Sequence, residues 1–97
     1  MAYKYITLPK AEKDIDKAVT YYADIKKSLA KRFSKELKEK VKYITQKPEH
    51  IQIRYDNVRM AHLKTFPYSI HFVFENNTII ILAVFAFKED SEKWTQQ

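Results

Sequence analysis

Apolar residues recur along this chain with two periods, and the change from one to the other falls at Pro48. Tyr3 to Leu8 is short, β-branched and aromatic, the pattern of a strand. Pro9 suits the first turn of a helix, where its missing N–H is not needed, with Thr7 or Leu8 as the cap. Ala11, Ile15, Ala18, Val19, Tyr22 and Ile25 then form one stripe at helical spacing. Tyr21 and Tyr22 cannot both face the core, and Tyr22 fits the stripe. This helix is expected to end between Asp24 and Lys27, and Ser28 is the expected cap of a second. The second stripe is Leu29, Phe33, Leu37, Val41 and Ile44, with Lys31, Lys35, Lys38 and Lys42 on the opposite face, and Pro48 stops it.

After Pro48 the period falls to two. Ile51, Ile53 and Tyr55 alternate with Gln52 and Arg54. Val58 to Lys64 either continues that strand past a break at Asp56-Asn57 or starts another. Thr65-Phe66-Pro67 is a turn, and Tyr68 to Phe74 a strand with Tyr68, Ile70, Phe72 and Phe74 on one face and Ser69, His71 and Val73 on the other. Glu75-Asn76-Asn77 is a hairpin turn, Asn standing in for Gly. Thr78 to Phe87 is apolar throughout, as in a central strand. A charged tail, Lys88 to Gln97, carries the one tryptophan, Trp94. The order is β-α-α-β-β-β: an α+β fold with an antiparallel sheet and a helical hairpin packed on one face. Residues 1–97 read as one domain.

Composition narrows the chemistry. The 97 residues include no glycine, where average usage would give about seven. That excludes the P-loop, the dinucleotide-binding turn and the nucleophile elbow. No cysteine excludes disulfides, thiolate metal sites and cysteine nucleophiles. The net charge of +6 is uneven: residues 26–47 hold nine Lys or Arg against two Glu, whereas residues 65–97 hold two Lys against four acids. The basic segment is either a solvated helix face or a surface for a polyanion or an acidic partner. There is no signal-peptide pattern, and the longest apolar run, Ile79 to Phe87, is too short to span a bilayer as a helix. A cytoplasmic protein with no membrane role is expected.

Several residues carry candidate chemistry. His62 and His71 are expected across from each other on neighbouring strands, either as an acid–base pair or as two sheet histidines. Two histidines without a third ligand make no metal site, and no cofactor is expected. Arg59 is suited to phosphate or carboxylate binding, or to an ion pair with Glu89 or Asp90. Lys64 and Lys88 are placed to flank the same open sheet face as Arg59, or are solvated lysines. Trp94 is either a binding anchor or a lid. His50 reads as surface.

Thr7-Leu8-Pro9-Lys10-Ala11, Asp14-Ile15, Tyr21-Tyr22, Leu29, Phe33, Pro48, Arg59, Phe66-Pro67-Tyr68-Ser69-Ile70-His71-Phe72, Ile79 to Val84, and Asp90 before Trp94 together resemble the RelE/ParE superfamily of toxins, often labelled plasmid stabilization proteins. The resemblance covers nearly the whole chain, and the Phe-Pro-Tyr-x-Ile-x-Phe segment is its most specific part. It implies the toxin of a type II toxin–antitoxin pair, neutralised by an antitoxin. RelE-like members cleave mRNA in the ribosome. ParE-like members lack the nuclease residues and inhibit DNA gyrase.

Metal-free RNA cleavage needs a base, cations for the charged phosphorane and an acid. On the RelE pattern the strand lysines fall on Met60 and His62, the next arginine on Ser69, the following arginine near Glu89 beside Lys88, and the terminal tyrosine on Trp94 or Thr95. Most positions do not match, which favours the ParE-like branch. By the resemblance, ParE-like members usually end the last strand with a His and a pair of Arg, and here Ala86, Lys88 and Glu89 stand in their places, so that pattern is eroded too. Three readings follow: a ParE-like toxin that binds a target such as gyrase; a RelE-like endoribonuclease with a substituted site, in which His62, His71 and Lys88 would act; and a non-toxic binding domain. Arg59, Lys64, Trp94, Lys31, Lys35, Lys38 and Lys42 are the candidate partner or nucleic-acid contacts. The antitoxin's identity, and whether the chain forms a homodimer, are left open by the sequence.

Overall fold

The computed structural model describes residues 2–86. Strand β1 (Lys4–Thr7) leads into helix α1 (Pro9–Ile25), helix α2 (Lys27–Gln46), a short 3-10 turn (Pro48–His50) and strands β2 (Ile53–Tyr55), β3 (Val58–His62), β4 (Tyr68–Glu75) and β5 (Thr78–Ala86). The sheet order is β1-β5-β4-β3-β2. Strands β2 to β5 run antiparallel, and β1 joins β5 in parallel, Tyr5 opposite Ile79 and Thr7 opposite Ile81. The α+β order expected from the periodicity is present, and the first strand makes the sheet mixed. The parallel pair follows from the connection: two helices separate β1 from the sheet, so no hairpin constrains its direction.

Neither helix starts on a side-chain cap. Leu8 precedes α1 and Lys26 precedes α2, both without a capping hydrogen bond, so Ser28 lies inside α2. Pro9 fixes the first turn of α1 instead. The link between the helices is a single extended residue, Lys26 with φ −167°, so no left-handed residue is needed where glycine is common. Left-handed backbone occurs elsewhere without glycine. Asp56 takes φ 48° in the turn that separates β2 from β3, and Asn76 and Asn77 take 51° and 59° between β4 and β5. Asp and Asn tolerate this region because their short polar side chains bond locally. Asp56-Asn57 is therefore a hairpin turn, not a break within one strand.

The helices cover one face of the sheet. Tyr22, Phe33, Phe66 and Tyr68 form the aromatic centre of this core, with ring centroids between 4.8 and 6.1 Å apart. Ile70, Phe72, Ile79 and Ile44 are fully buried around it. Strand β5 changes phase at Leu82: His71 is opposite Ala83, and the next residue, Phe72, is opposite Ile81. This bulge lets Ile79, Ile81 and Val84 all serve the helix side although their spacing is not uniform. It also explains why the sequence of β5 shows no alternation.

Two carboxylates finish backbone that the sheet leaves unpaired. β1 ends at Thr7, and beyond it the Asp14 carboxylate of α1 accepts the Val84 N–H at 3.0 Å. Lys10 donates to the same carboxylate at 2.7 and 2.9 Å. Glu36 of α2 accepts the Lys64 and Thr65 N–H groups at 2.5 and 2.8 Å, which pins the β3–β4 loop to the helix. Partial burial pushes the Glu36 pKa up, but the hydrogen bonds from Thr65, Lys64 and Phe66 outweigh it, and the net shift is down. The folded pKa thus lies below the unfolded one. The resulting stability is complete above the ordinary glutamate range and is lost as pH falls through the folded value. Glu36→Gln is expected to lower stability by about 1 kcal/mol at pH 7. The difference from the parent should shrink in denaturant titrations at acid pH, and a constant difference would contradict the role.

Candidate functional site

The face away from the helices is built by β3, β4 and β5. Cross-strand register puts Met60 and His62 of β3, Ser69 and His71 of β4, and Ala83 and Phe85 of β5 on it. His62 lies opposite Ser69, and Met60 lies opposite His71. The two histidines share a face, but diagonally, one pair apart, and not directly across as the sequence suggested. The β3 register is set by the two-strand hairpin with its Thr65–Pro67 turn, which the pattern alone did not fix.

Each histidine meets a hydroxyl. His62 Nδ1 is 2.6 Å from Ser69 Oγ, and His71 Nδ1 is 3.0 Å from Tyr55 Oη. Ser69 is fully buried and His71 is 1% exposed, whereas His62 is exposed. The Phe85 ring stands edge-on to His71, centroids 5.0 Å apart at 82°. A hydroxyl–imidazole pair moves a proton only if a substrate reaches it, and the burial of Ser69 and His71 leaves His62 as the accessible member. No Lys or Arg of β3, β4 or β5 points to this face among the described residues.

The candidate cations are distributed elsewhere. Arg59 is not on the open face where the sequence placed it: it is opposite the buried Phe72, on the helix side, and its guanidinium donates to the Ile51 carbonyl at 2.7 Å. That contact ties β3 to the segment leaving the 3-10 turn and directs Arg59 away from the histidines. Lys64 is exposed in the loop clamped by Glu36. Lys31, Lys35, Lys38 and Lys42 are exposed along α2. Lys88 and Trp94 lie outside the described residues. His50 is a surface residue, its Nδ1 3.2 Å from the Tyr43 hydroxyl. Among the described residues no three His, Asp or Glu side chains gather as a metal site, and no helix is long and apolar enough to cross a membrane.

Comparison with known proteins adds what the face does not settle alone. The family model described as the ParE toxin of the type II toxin–antitoxin system parDE matches residues 5–90. The chain belongs to the ParE toxin family. It is the toxin of a type II toxin–antitoxin system. Solved structures support the fold of this ParE toxin. One is a chromosomal ParDE toxin–antitoxin system from P. aeruginosa, with a TM-score of 0.77 and 22% identity over 88% of this chain and 96% of that one. Another is the RelBE2 toxin–antitoxin complex from Mycobacterium tuberculosis, with a TM-score of 0.55 and 13% identity over 89% of this chain and 99% of that one. No curated protein matches the sequence.

Four residues of the ParE toxin take roles that its sequence did not give them. Tyr55 and Ser69 supply the hydroxyls beside the histidines, and Asp14 and Glu36 supply the backbone acceptors. Tyr55 was legible as part of an alternating strand, but its partner depends on the β2–β3 turn. Asp14 and Glu36 bond residues 70 and 28 or 29 positions away, and no local pattern signals such pairs.

Proposed function

We infer that this toxin acts by binding a target and holding it, with no bond broken, and that DNA gyrase is the target. The observation that carries the reading is the placement of the strand arginine: the sheet-face histidines lie against Ser69 and Tyr55, while Arg59, the one arginine of β3, is on the helix side of the sheet. A metal-free nuclease must stabilise a charged phosphorane, and that work falls to positioned cations. The Arg59 guanidinium is committed to the Ile51 carbonyl there.

A cognate antitoxin neutralises the toxin by binding it, in keeping with the two solved relatives, which are toxin–antitoxin complexes. A ribosome-dependent endoribonuclease is the second reading. It is favoured by one feature, the exposed His62 with its short bond to Ser69.

Inducible expression in a bacterium tests the reading. Growth arrest with loss of plasmid negative supercoiling is the expected result. Arrest with intact supercoiling and cleaved mRNA would replace it by the nuclease reading. Growth without arrest would leave a binding domain that poisons nothing.

A further inference from the structure

Lysines recur along one side of α2. On a helix of 3.6 residues per turn, Lys27, Lys31, Lys35, Lys38 and Lys42 fall within an arc of about 80°, and all five are exposed. From Lys27 to Lys42 this stripe is about 22 Å long at 1.5 Å per residue. The buried side chains of α2, among them Phe33, Leu37 and Ile44, belong to the core on another side of the helix, so core packing does not call for the lysines.

No acid lies within the arc. Glu39 falls outside it, and Glu36 is turned to the β3–β4 loop, where it accepts the Lys64 and Thr65 N–H groups. Among the described residues the one ion pair joins Lys10 and Asp14 of α1, so no carboxylate there neutralises any of the five. Like charges three and four residues apart weaken a helix. The stripe therefore destabilises α2 until a polyanion lies beside it.

The residue types select that polyanion. Lysine is a compact point charge suited to phosphate, whereas surfaces that bind other proteins are depleted in it. No arginine lies in the arc to read a base edge with a bidentate fork. No aromatic side chain lies there to stack on an unpaired base. Arg32 and Tyr43 both fall outside it. What remains is contact with a phosphate backbone, which carries no sequence information. Duplex DNA presents such a backbone at a matching scale: one strand offers a phosphate every 3.4 Å of axis, about six along the stripe.

We propose that α2 binds the phosphate backbone of duplex DNA, without regard to sequence, through Lys27, Lys31, Lys35, Lys38 and Lys42. The choice of DNA among polyanions rests on the gyrase reading above, since that enzyme works on a duplex; the charge and spacing of the stripe do not. Binding to DNA concentrates the toxin where a DNA-bound target is found.

The test is fluorescence anisotropy with the full chain and labelled 20-base-pair DNA duplexes of two unrelated sequences, over a series of salt concentrations. Both duplexes are expected to bind alike. The logarithm of affinity should fall against the logarithm of salt concentration with a slope of about −4.5, the sum for five phosphate contacts. Lys31→Ala/Lys35→Ala should make that slope shallower by about two and weaken binding about tenfold or more at low salt. Lys13→Ala/Lys17→Ala removes the same charge from exposed positions of α1 and should change little. Thermal melts check that both double variants stay folded.

Absence of saturable binding at low salt would overturn the proposal. So would equal losses in the two double variants, or a slope that the α2 variant leaves unchanged. Tighter binding of a single-stranded 20-mer or of an RNA duplex would overturn the choice of duplex DNA. Supercoiling after induced expression is scored separately, so failure of the gyrase reading is seen there and failure of the DNA contact in the titrations.

Discussion

Phe33→Ala is expected to destabilise the protein by about 3–5 kcal/mol, the range for truncating a buried aromatic. Phe33 is fully buried, with its ring 5.3 to 5.4 Å from those of Tyr22, Phe66 and Tyr68. These three come from α1, the β3–β4 loop and β4, so one deletion loosens the helix hairpin from the sheet at its centre. For a domain of this size the melting temperature should fall on the order of 20 °C. Phe33→Leu keeps most of the volume and should lose much less. Chemical denaturation of the three proteins checks this. A loss below about 1 kcal/mol for the alanine variant would mean that the helices are held by other contacts.

Asp14→Ala is the second large effect, expected at about 2–3 kcal/mol. The cost arises because the Val84 N–H lies just beyond the end of β1 and past the β5 bulge, where no strand takes over its hydrogen bond. Removing the acceptor leaves a part-buried donor without its bond, and the Lys10 ion pair goes with it. Asp14→Asn retains an oxygen that can accept from Val84 and should lose less. Amide hydrogen exchange reports the site directly: Val84 should exchange faster in the alanine variant than in the asparagine variant. Equal protection in both would show that water or a neighbouring group satisfies Val84.

These contacts mark the boundary of what the chain discloses in one dimension. The stripes from Ala11 to Ile25 and from Leu29 to Ile44 are local repeats, and both became helices packed on a sheet. The helix ends were less legible because backbone and Pro9 set them, not side-chain caps. Asn76 and Asn77 were readable as a turn because left-handed backbone without glycine favours Asn. The Asp56 turn was ambiguous, since the alternation on either side of it is short. The direction of β1 was not legible at all: a two-helix connection permits either sense.

For the site, His62 and His71 on one face followed from their parity in the strands. Their diagonal offset, and the Ser69 and Tyr55 partners, required the cross-strand register. Arg59 differs. As one of three arginines it stood out, but it alternates with Met60 and His62 in β3, and that parity already puts it on the other face, the helix side.

The central claim is a toxin that binds without cutting, and a paired assay on the purified full chain tests it most directly. DNA gyrase supercoiling and primer extension on ribosome-bound mRNA are run side by side, with the parent chain and with His62→Ala. The account expects dose-dependent loss of supercoiling by both proteins and full-length mRNA throughout. Cleavage of the ribosome-bound mRNA by the parent, abolished in His62→Ala, with supercoiling untouched, would contradict it.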